Sequence, residues 1–187
     1  MTIPQTRPLA RLAANEPRTM DVSFVYGNII KQPDAQAVVN SANANLRFGS
    51  GVAGAIHGAA GQRLEDFCEP LAPLALGEAL ITPGFDLPNP WVIHIRAGHY
   101  LNTPKPEYYL EKALDSMMVL ASANGIRSLA VPAIGTGLFK FPPILAARIM
   151  ARVLKRHARE GSRVEWVRVC LADRALVPLF ESAFGVA

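Results

Sequence analysis

The stretch that most constrains the fold is a strand followed by asparagines, a glycine turn and a small-residue helix, over residues 38–61. It reads VVNSANANLRFGSGVAGAIHGAAG. Asn and Gly readily end a strand because both tolerate turn conformations. Glycines at a helix start leave backbone N–H groups bare beside the unpaired donors of the helix, where its dipole favours negative charge. The stretch therefore predicts a site for a phosphate-bearing ligand, with asparagine amides nearby for sugar hydroxyls.

The glycine spacing differs from that of a dinucleotide-binding Rossmann turn. Residues 49–54 satisfy G-x-G-x-x-G, but five residues separate Asn43 from Gly49, whereas the Rossmann glycines follow their strand directly. A Rossmann fold also has an acidic residue, about 20 residues after the glycines, that binds the ribose hydroxyls. Glu69 lies at about that distance, but it precedes Pro70 instead of ending a strand. A tight turn of small residues and a Rossmann-type nucleotide enzyme both stay open as alternatives.

Apolar strand patterns alternate with helical patterns along the chain. Because such alternation is typical of a sheet covered by helices, we predict an α/β fold. In such sheets ligands bind beyond the carboxyl ends of the strands. Residues 40–54, which end in the first glycine loop (49–54), and the second glycine loop (135–141) both fall there. Val22, Phe24 and Tyr26 are predicted to share one face of the first strand. The predicted strands are 21–26, 35–40, 79–82, 91–96, 129–134 and 164–171, and the predicted helices are 51–68, 108–124, 143–159 and 174–184.

Length and composition indicate one globular domain. Of the 187 residues, 50% are hydrophobic and 18% are charged, which allows a full core and excludes a disordered chain. Residues 1–19 contain three prolines and no clean hydrophobic period. We therefore expect a mobile or loosely docked tail over 1–19, followed by a single domain over 20–187.

Targeting and redox features favour a cytoplasmic protein without metal or other cofactor. No apolar run approaches the ~20 residues of a membrane span, and residues 1–20 lack the apolar core of a secretory signal, so we expect no membrane contact. Cys68 and Cys170 show neither metal spacing nor disulfide density, so we expect two buried thiols. No Cys/His cluster is present and acids are absent from both glycine loops, so we expect no metal site.

The net charge of +4 is unevenly distributed. Seven Arg and Lys residues fall within 148–168, against two Glu. Such a basic segment attracts nucleic-acid backbones through a salt-dependent, sequence-independent interaction. It is also typical of the solvated side of an amphipathic helix. Both interpretations stay open, and the first predicts weak nucleic-acid contact through residues 148–168.

Three segments in the same order resemble the macro domain family, whose members bind ADP-ribose. Residues 38–61 are similar to its V-N-A-A-N and G-G-G-V-x-G-A-I-H patterns. GEALITPGFDLPNPWVIHIRAGHY (77–100) is similar to its G-E-A, T-P-G and V-I-H segment, and SLAVPAIGTGLFKFP (128–142) to its second ligand loop. The resemblance covers about 21–184. It implies a three-layer α/β/α sandwich with a mixed, mostly parallel central sheet and a macro domain over 20–187.

The resemblance also implies where ADP-ribose would lie. It places the adenine beside Asn28 and Ile29, and the distal ribose against Asn40, Asn43 and Phe139. Thr136 would add a hydroxyl donor, and Phe139 would either cover a sugar face or plug the space beneath its loop. The diphosphate would lie between two sets of loop residues: Gly49, Ser50, Gly51, Val52 and Ala53, and Gly135, Thr136, Gly137 and Leu138.

Two departures from the family pattern weaken the predicted adenine site. Asn28 stands in Gly-Asn-Ile where relatives have Gly-Asp-Ile, so a neutral acceptor replaces a charged one. Leu171-Ala172-Asp173 follows the last strand, where many relatives have an aromatic residue. We expect the lost charge alone to weaken adenine binding by about 1 kcal/mol. A third departure is Lys140, which stands where relatives usually have glycine.

The catalytic prediction depends on Ala53, which stands where hydrolytic relatives have an aspartate. Without that carboxylate the loop lacks a general base, which contributes about 10²–10⁴-fold to a rate. Other macro domains with the same G-V-A-G sequence, including viral ones, hydrolyse without it, which implies that a ligand phosphate and Asn43 orient the water. His57 is the nearby titratable group of the first helix; we expect it, like His94 and His99, to be structural.

Two functional hypotheses follow from the resemblance. The first is a hydrolase that removes ADP-ribose from protein or nucleic acid, or cleaves acetyl or phosphate esters of ADP-ribose, with Asn43 as the catalytic residue. The second is a reader that binds ADP-ribose without chemistry, which Ala53 favours. We favour the hydrolase because the rest of the chain resembles the hydrolytic branch.

Overall fold

The structure, a computed structural model, describes residues 19–185. The tail predicted over 1–19 lies, apart from residue 19, outside the described residues. The described strands are β1 (Asp21–Tyr26), β2 (Ala37–Ser41), β3 (Ala79–Pro83), β4 (Trp91–Ile95), β5 (Ser128–Pro132) and β6 (Trp166–Leu171). The helices are α1 (Gly51–Ala60), α2 (Gln62–Cys68), α3 (Pro106–Ala123), α4 (Pro143–Arg159) and α5 (Leu176–Phe184), with a short 3₁₀ turn at Glu69–Leu71.

The strands form one mixed sheet in the order β1-β6-β5-β2-β4-β3. All neighbours are parallel except β3, which runs antiparallel to β4 at one edge. β2 and β5 are direct neighbours, so their carboxyl ends lie side by side at the same edge of the sheet. The segments after β2 and β5 are the two glycine loops, and the sheet therefore brings both to one place.

Helices cover both faces of the sheet, which confirms the predicted three-layer sandwich. Helices α3, α4 and α5 pack on the face that carries Val39, Ile93 and Val131. Helices α1 and α2 pack on the opposite face, against Val38 and Val92. Because β2 is covered on both faces, its first four residues are all buried, which is typical of a central parallel strand.

The first strand has its predicted bounds, and its last residue is exposed. Val22 and Phe24 pack against the core on the side of α5. Tyr26, predicted to share their face, is 56% exposed and lies at the carboxyl end of β1. Strand alternation keeps Tyr26 on the face of Val22 and Phe24, but the strand ends there, beyond the apolar layer, and leaves the ring exposed.

The helix predicted over 51–68 is two helices. Gly61 has a φ of +81°, and its N–H donates to the carbonyl oxygen of His57. This positive φ, which glycine adopts readily, ends α1 and redirects the chain into α2. The remaining elements begin and end within a few residues of their predicted limits, and α4 has the predicted bounds.

Both cysteines are free and buried, as the sequence predicted. Burial raises the pKa of the Cys68 thiol and of the Cys170 thiol to about 11, so both are protonated at neutral pH. Over the described residues, none of the helices has the length and apolar character needed to cross a membrane.

Candidate functional site

A cleft of about 1000 Å³ opens at the carboxyl edge of the sheet. Its floor includes residues from the ends of four strands: Tyr26 of β1, Ser41 of β2, Pro132 of β5 and Cys170 of β6. This position is the usual one for ligands of parallel α/β sheets. The volume is at the upper end of the range for small-molecule and cofactor sites.

Every predicted binding residue except Asn40 lines this cleft. Both glycine loops border the cleft, as predicted from their positions after two strands. The segment after β1 borders it as well. The lining residues that had been predicted are Asn28, Ile29, Asn43, Gly49, Ser50, Gly51, Val52, Ala53, Gly135, Thr136, Gly137, Leu138 and Phe139.

Asn40 lies outside the cleft, which corrects its assignment to the sugar. Its side chain is 1% exposed, and its Nδ2 lies 3.0 Å from Nδ1 of His94. Burial, with a smaller contribution from nearby His57, lowers the pKa of His94 to about 3, so the ring is neutral. Nδ1 of His94 accordingly accepts from Asn40 while Nε2 donates to the Thr82 hydroxyl, 3.0 Å away. Asn40 and His94 form a buried cross-strand pair.

Asn43 organises the loop that it belongs to. Its Oδ1 accepts the N–H groups of Asn45 and Arg47, at 3.1 and 3.2 Å. Its Nδ2 donates to the carbonyl oxygen of Arg47 at 2.7 Å. An amide nitrogen carries two hydrogens, so one Nδ2 hydrogen is left without a partner among the described residues. Asn43 therefore fixes the loop and can still offer one donor to the cleft.

The first glycine loop ends in a helix start with free donors. Ser50 is extended, with φ −96° and ψ 169°, and its side chain makes no capping hydrogen bond. The N–H groups of Gly51, Val52 and Ala53 belong to the first turn of α1, where an α-helix provides no acceptor. No acidic residue lies in that turn. These N–H groups can therefore donate to an anion in the cleft.

The second glycine loop is a tight turn held by its own carbonyl groups. Gly135 O accepts the N–H of Phe141 at 2.9 Å, and Gly137 O accepts that of Lys140 at 3.1 Å. The carbonyl of Phe139 accepts the N–H of Tyr100 at 2.7 Å. Within residues 19–185 the N–H groups of Gly135, Gly137 and Leu138 have no hydrogen-bond partner, so this loop also presents free donors.

Three side chains of the second loop differ in what they offer. The Thr136 hydroxyl donates to the Ala133 carbonyl at 2.8 Å, so its hydrogen is already used and the expected donation to a ligand is not available in this arrangement. Phe139 both lines the cleft and packs against the core beneath its loop, so it fills the space under the loop, and its contact with a sugar stays a prediction. Lys140 is exposed and does not line the cleft.

The electrostatics of the cleft come from the backbone. Helices α1, α4 and α5 all begin at its rim, through Gly51, Pro143 and Leu176, and none has an acidic residue in its first turn. Among the described lining residues Asp173 is the single carboxylate, and no Lys, Arg or His is present. Over the same described range, no group of three His, Cys, Asp or Glu residues could hold a metal ion. Apart from the Asp173 carboxylate, the charges that the lining presents are therefore the partial positive charges of the helix starts.

Asn28 lies in a turn at the far end of the cleft from Asn43. Its Oδ1 accepts the N–H of Ile30 at 3.2 Å, and its side chain is exposed. Ile29 next to it is buried. Tyr26 and Asp173 lie at the same strand ends, and the Arg174 guanidinium sits 5.0 Å from the Tyr26 ring centroid, a cation–π distance.

Eleven residues that line the cleft were not among the predicted binding residues. Most are small or apolar residues at strand ends and helix starts, which carry no motif of their own. The sequence could have indicated them only through their position next to the predicted loops. This is clearest for Tyr26, which immediately precedes the Gly27-Asn28 turn. They are Tyr26, Gly27, Ser41, Ala55, Pro132, Ala133, Pro143, Cys170, Ala172, Asp173 and Leu176, where Gly27 had been noted only as part of the turn.

The basic segment 148–168 is partly neutralised by acids on neighbouring elements. Arg152 pairs with Glu111 at 2.6 Å, and Arg156 with Asp115 at 2.6 Å. The guanidinium of Arg168 pairs with Asp34 at 2.7 Å. These pairs reduce the positive field of the segment, and nucleic-acid contact stays a prediction.

The fold and the cleft together define a class: an α/β/α domain with two glycine loops facing one cleft at the carboxyl ends of parallel strands. The family model described as Macro domain matches residues 39–150, and this chain belongs to the macro domain family.

Relatives and solved structures agree with this membership. The chain is 38% identical over 152 residues to a macro domain-containing protein of Ralstonia nicotianae, covering 81% of this chain and 87% of that protein. It is 38% identical to human ADP-ribose glycohydrolase MACROD2, over 82% of this chain and 36% of that longer protein. The solved Oceanobacillus iheyensis macrodomain with ADP superimposes with a TM-score of 0.85 at 28% identity, covering 91% of this chain and 93% of that one.

Proposed function

We propose that this protein binds ADP-ribose in the cleft and hydrolyses ADP-ribose conjugates. The observation that carries the proposal is the pair of glycine loops whose free N–H groups border one cleft. A diphosphate needs several donors at close range, and main-chain N–H groups at helix starts and tight turns supply them. The likeness to a macrodomain solved with ADP supports the same ligand class.

The cleft runs past the ends of four neighbouring strands, β1, β6, β5 and β2, which gives separate places for the base, the diphosphate and the distal ribose. Its adenine end is formed by Asn28, Ile29 and Tyr26, where an exposed ring is available beside a polar turn. The diphosphate lies between the two glycine loops. The distal ribose then falls against Asn43 and Phe139, without the contribution of Asn40 that the sequence suggested, because Asn40 is buried.

Hydrolysis adds the elements of water across the bond between the distal ribose and its acceptor. The remaining Nδ2 hydrogen of Asn43 orients the ribose or the attacking water, while the loops fix the diphosphate. Fixing the reactants in this way removes much of the entropic barrier without a general base. Kinship to an ADP-ribose glycohydrolase supports this reaction. The acceptors we propose are mono-ADP-ribosylated protein or nucleic acid, and acetyl or phosphate esters of ADP-ribose.

The second candidate is a reader that binds ADP-ribose without chemistry. The specific observation in its favour is Ala53, a buried methyl group in the first turn of α1 where hydrolytic relatives carry a carboxylate. Asp173 is the carboxylate among the described lining residues. It lies at the adenine end of the cleft, so it cannot take the place of the carboxylate that hydrolytic relatives have at position 53. Binding and turnover therefore have to be measured separately.

The proposal is tested by calorimetry with ADP-ribose, together with a turnover panel. We expect saturable ADP-ribose binding and release of ADP-ribose from at least one substrate among mono-ADP-ribosylated protein, ADP-ribosylated nucleic-acid ends and acetyl-ADP-ribose. Binding without release from any of them would establish the reader. Absence of ADP-ribose binding, with the folded state verified by circular dichroism, would refute both candidates.

Asn28→Asp is expected to strengthen ADP-ribose binding about fivefold. The charged oxygen can still accept the Ile30 N–H and is a stronger acceptor for the adenine amino group, by about 1 kcal/mol. Because Asn28 is exposed, the new charge carries little desolvation cost. Calorimetry with ADP-ribose and with ribose 5-phosphate measures the effect, since the second ligand lacks the base. An equal gain for both ligands would place Asn28 away from the adenine.

A further inference from the structure

Phe48, the residue that precedes the first glycine loop, is held in place from two sides. A methyl group placed on Gly54 or Gly58 would lie 3.8 or 3.7 Å from its ring, so the ring rests along the side of α1 that has no side chains. Its backbone N–H points to the carboxylate of Glu65, 2.9 Å from Oε2 and 3.2 Å from Oε1. Ring and backbone are therefore both fixed, although the side chain is 61% exposed.

Glu65 is itself oriented by a buried histidine. Nδ1 of His57 lies 3.0 Å from Oε2 of Glu65, and His57 is 4% exposed. Burial lowers the pKa of His57, against the opposing effect of Glu65. The neutral ring donates from Nδ1 to the carboxylate, which is a charge-assisted hydrogen bond and keeps the carboxylate aimed at Phe48.

The break at Gly61 makes this arrangement possible. Glu65 follows His57 by eight residues, which in one continuous helix would separate them by about 12 Å along the axis. Because α1 ends at Gly61, α2 runs in its own direction, and Glu65 reaches back to His57 in the last turn of α1 and to the Phe48 N–H that precedes this helix. The helix break that the sequence did not predict thus places a carboxylate beside the glycine loop.

The loop is also pressed against α1 immediately after Phe48. A Cβ atom on Gly54 would overlap the carbonyl oxygen of Gly49, so that carbonyl faces the helix at close range. In a trans peptide the N–H points opposite to the C=O, so the N–H of Ser50 points away from α1. The orientation of this peptide decides whether the loop presents a donor or an acceptor to the cleft.

We propose that Glu65 is a positioning residue for the diphosphate: by holding the Phe48 N–H it fixes the peptide orientation of residues 49–51 that a ligand meets. Asn43 holds Arg47 and Glu65 holds Phe48, so two consecutive residues anchor the loop before its first glycine. Glu65 does not line the cleft, and it acts through the backbone. This inference rests on the proposed binding of ADP-ribose.

Three substitutions of Glu65 distinguish the effect of its side-chain length on ligand binding from the effect of its charge. Glu65→Ala removes the acceptor, and we expect the Kd for ADP-ribose to rise about 10- to 100-fold. Glu65→Asp keeps the charge but withdraws the carboxylate by one methylene, and we expect a smaller loss in the same direction. Glu65→Gln keeps the length and one carbonyl acceptor, and we expect it to restore the Kd to within about threefold of the natural protein. The neighbouring acid Asp66, changed to Ala, is the matched control and should bind normally.

Amide hydrogen exchange provides a readout that does not need the ligand. In Glu65→Ala we expect faster exchange at Phe48 and at residues 49–51, with unchanged exchange in the second glycine loop. If the natural protein does not bind ADP-ribose, the proposed function fails, but the exchange at Phe48 still decides whether Glu65 holds the loop. Unchanged exchange and unchanged Kd in both Glu65→Ala and Glu65→Asp would overturn the inference, as would an equal loss in Asp66→Ala.

Discussion

Asn43→Ala is expected to reduce the release of ADP-ribose from its conjugates at least 100-fold. The substitution removes the donor that we assign to the distal ribose or water, and it also removes the acceptor of two N–H groups and the donor to Arg47 that hold the loop. A displacement of about 1 Å in a positioned group can cost about 100-fold in rate. Single-turnover release from mono-ADP-ribosylated protein measures the effect.

Two further variants separate the chemical role of Asn43 from its loop-holding role. Asn43→Asp keeps an oxygen for the N–H groups of Asn45 and Arg47 but has no Nδ2 donor, so we expect it to remain deficient in release. Asn45→Ala makes the same truncation at an exposed position of the same loop, outside the cleft lining, and should behave normally. Full activity in Asn43→Asp would show that the amide donor plays no part in the reaction.

Gly135→Val is expected to lower the free energy of unfolding by about 1–3 kcal/mol and to weaken ADP-ribose binding more than tenfold. Gly135 has a φ of +88°, and a Cβ atom there would lie 2.8 Å from Cδ2 of Phe141. A β-branched residue is strained in this backbone region, and relief of the contact would move the loop or the buried Phe141 ring. Urea denaturation and calorimetry measure the two effects.

Gly137→Ala is the matched control for stability. It lies two residues away in the same loop, without a positive φ, and no atom lies within 4 Å of a Cβ placed on it. We expect its free energy of unfolding to change by less than about 0.5 kcal/mol. If Gly135→Val were equally neutral, the loop would have an alternative conformation of similar energy, and the donor arrangement described here would not be fixed.

The sequence predicted the features that depend on local chemistry. The apolar run of β2, the asparagine and glycine residues after it, and the small-residue helix are each visible within about 20 residues. The second glycine loop follows β5 in the same manner. Because parallel strands bring their carboxyl ends to one edge, the meeting of both loops at one cleft also followed from the pattern, without knowledge of the strand order.

The features that could not be predicted from the sequence depend on the side of the sheet on which a residue lies and on the residues that it contacts there. Asn40 follows Val38 by two residues, so strand alternation turns both toward α1 and α2, where Asn40 is opposite His94 in the next strand. The resemblance suggested a sugar contact for Asn40, but the alternation favours burial. The use of the Thr136 hydroxyl within its own turn, and the pairing of Glu65 with Phe48 across the break at Gly61, depend on three-dimensional contacts that no local pattern encodes.

Among the residues that the structure describes, the cleft has no cationic side chain, which affects how a ligand would be captured. Whole charges on Arg or Lys attract anions over about 8 Å in physiological salt, whereas the partial charges of a helix start fade within one turn. The lining itself would then add little long-range attraction, which would come from the +4 net charge of the whole chain and from cations beside the cleft such as Arg174. Discrimination would arise only after contact, through the spacing of fixed donors, which favours a ligand with two linked phosphates over one with a single phosphate.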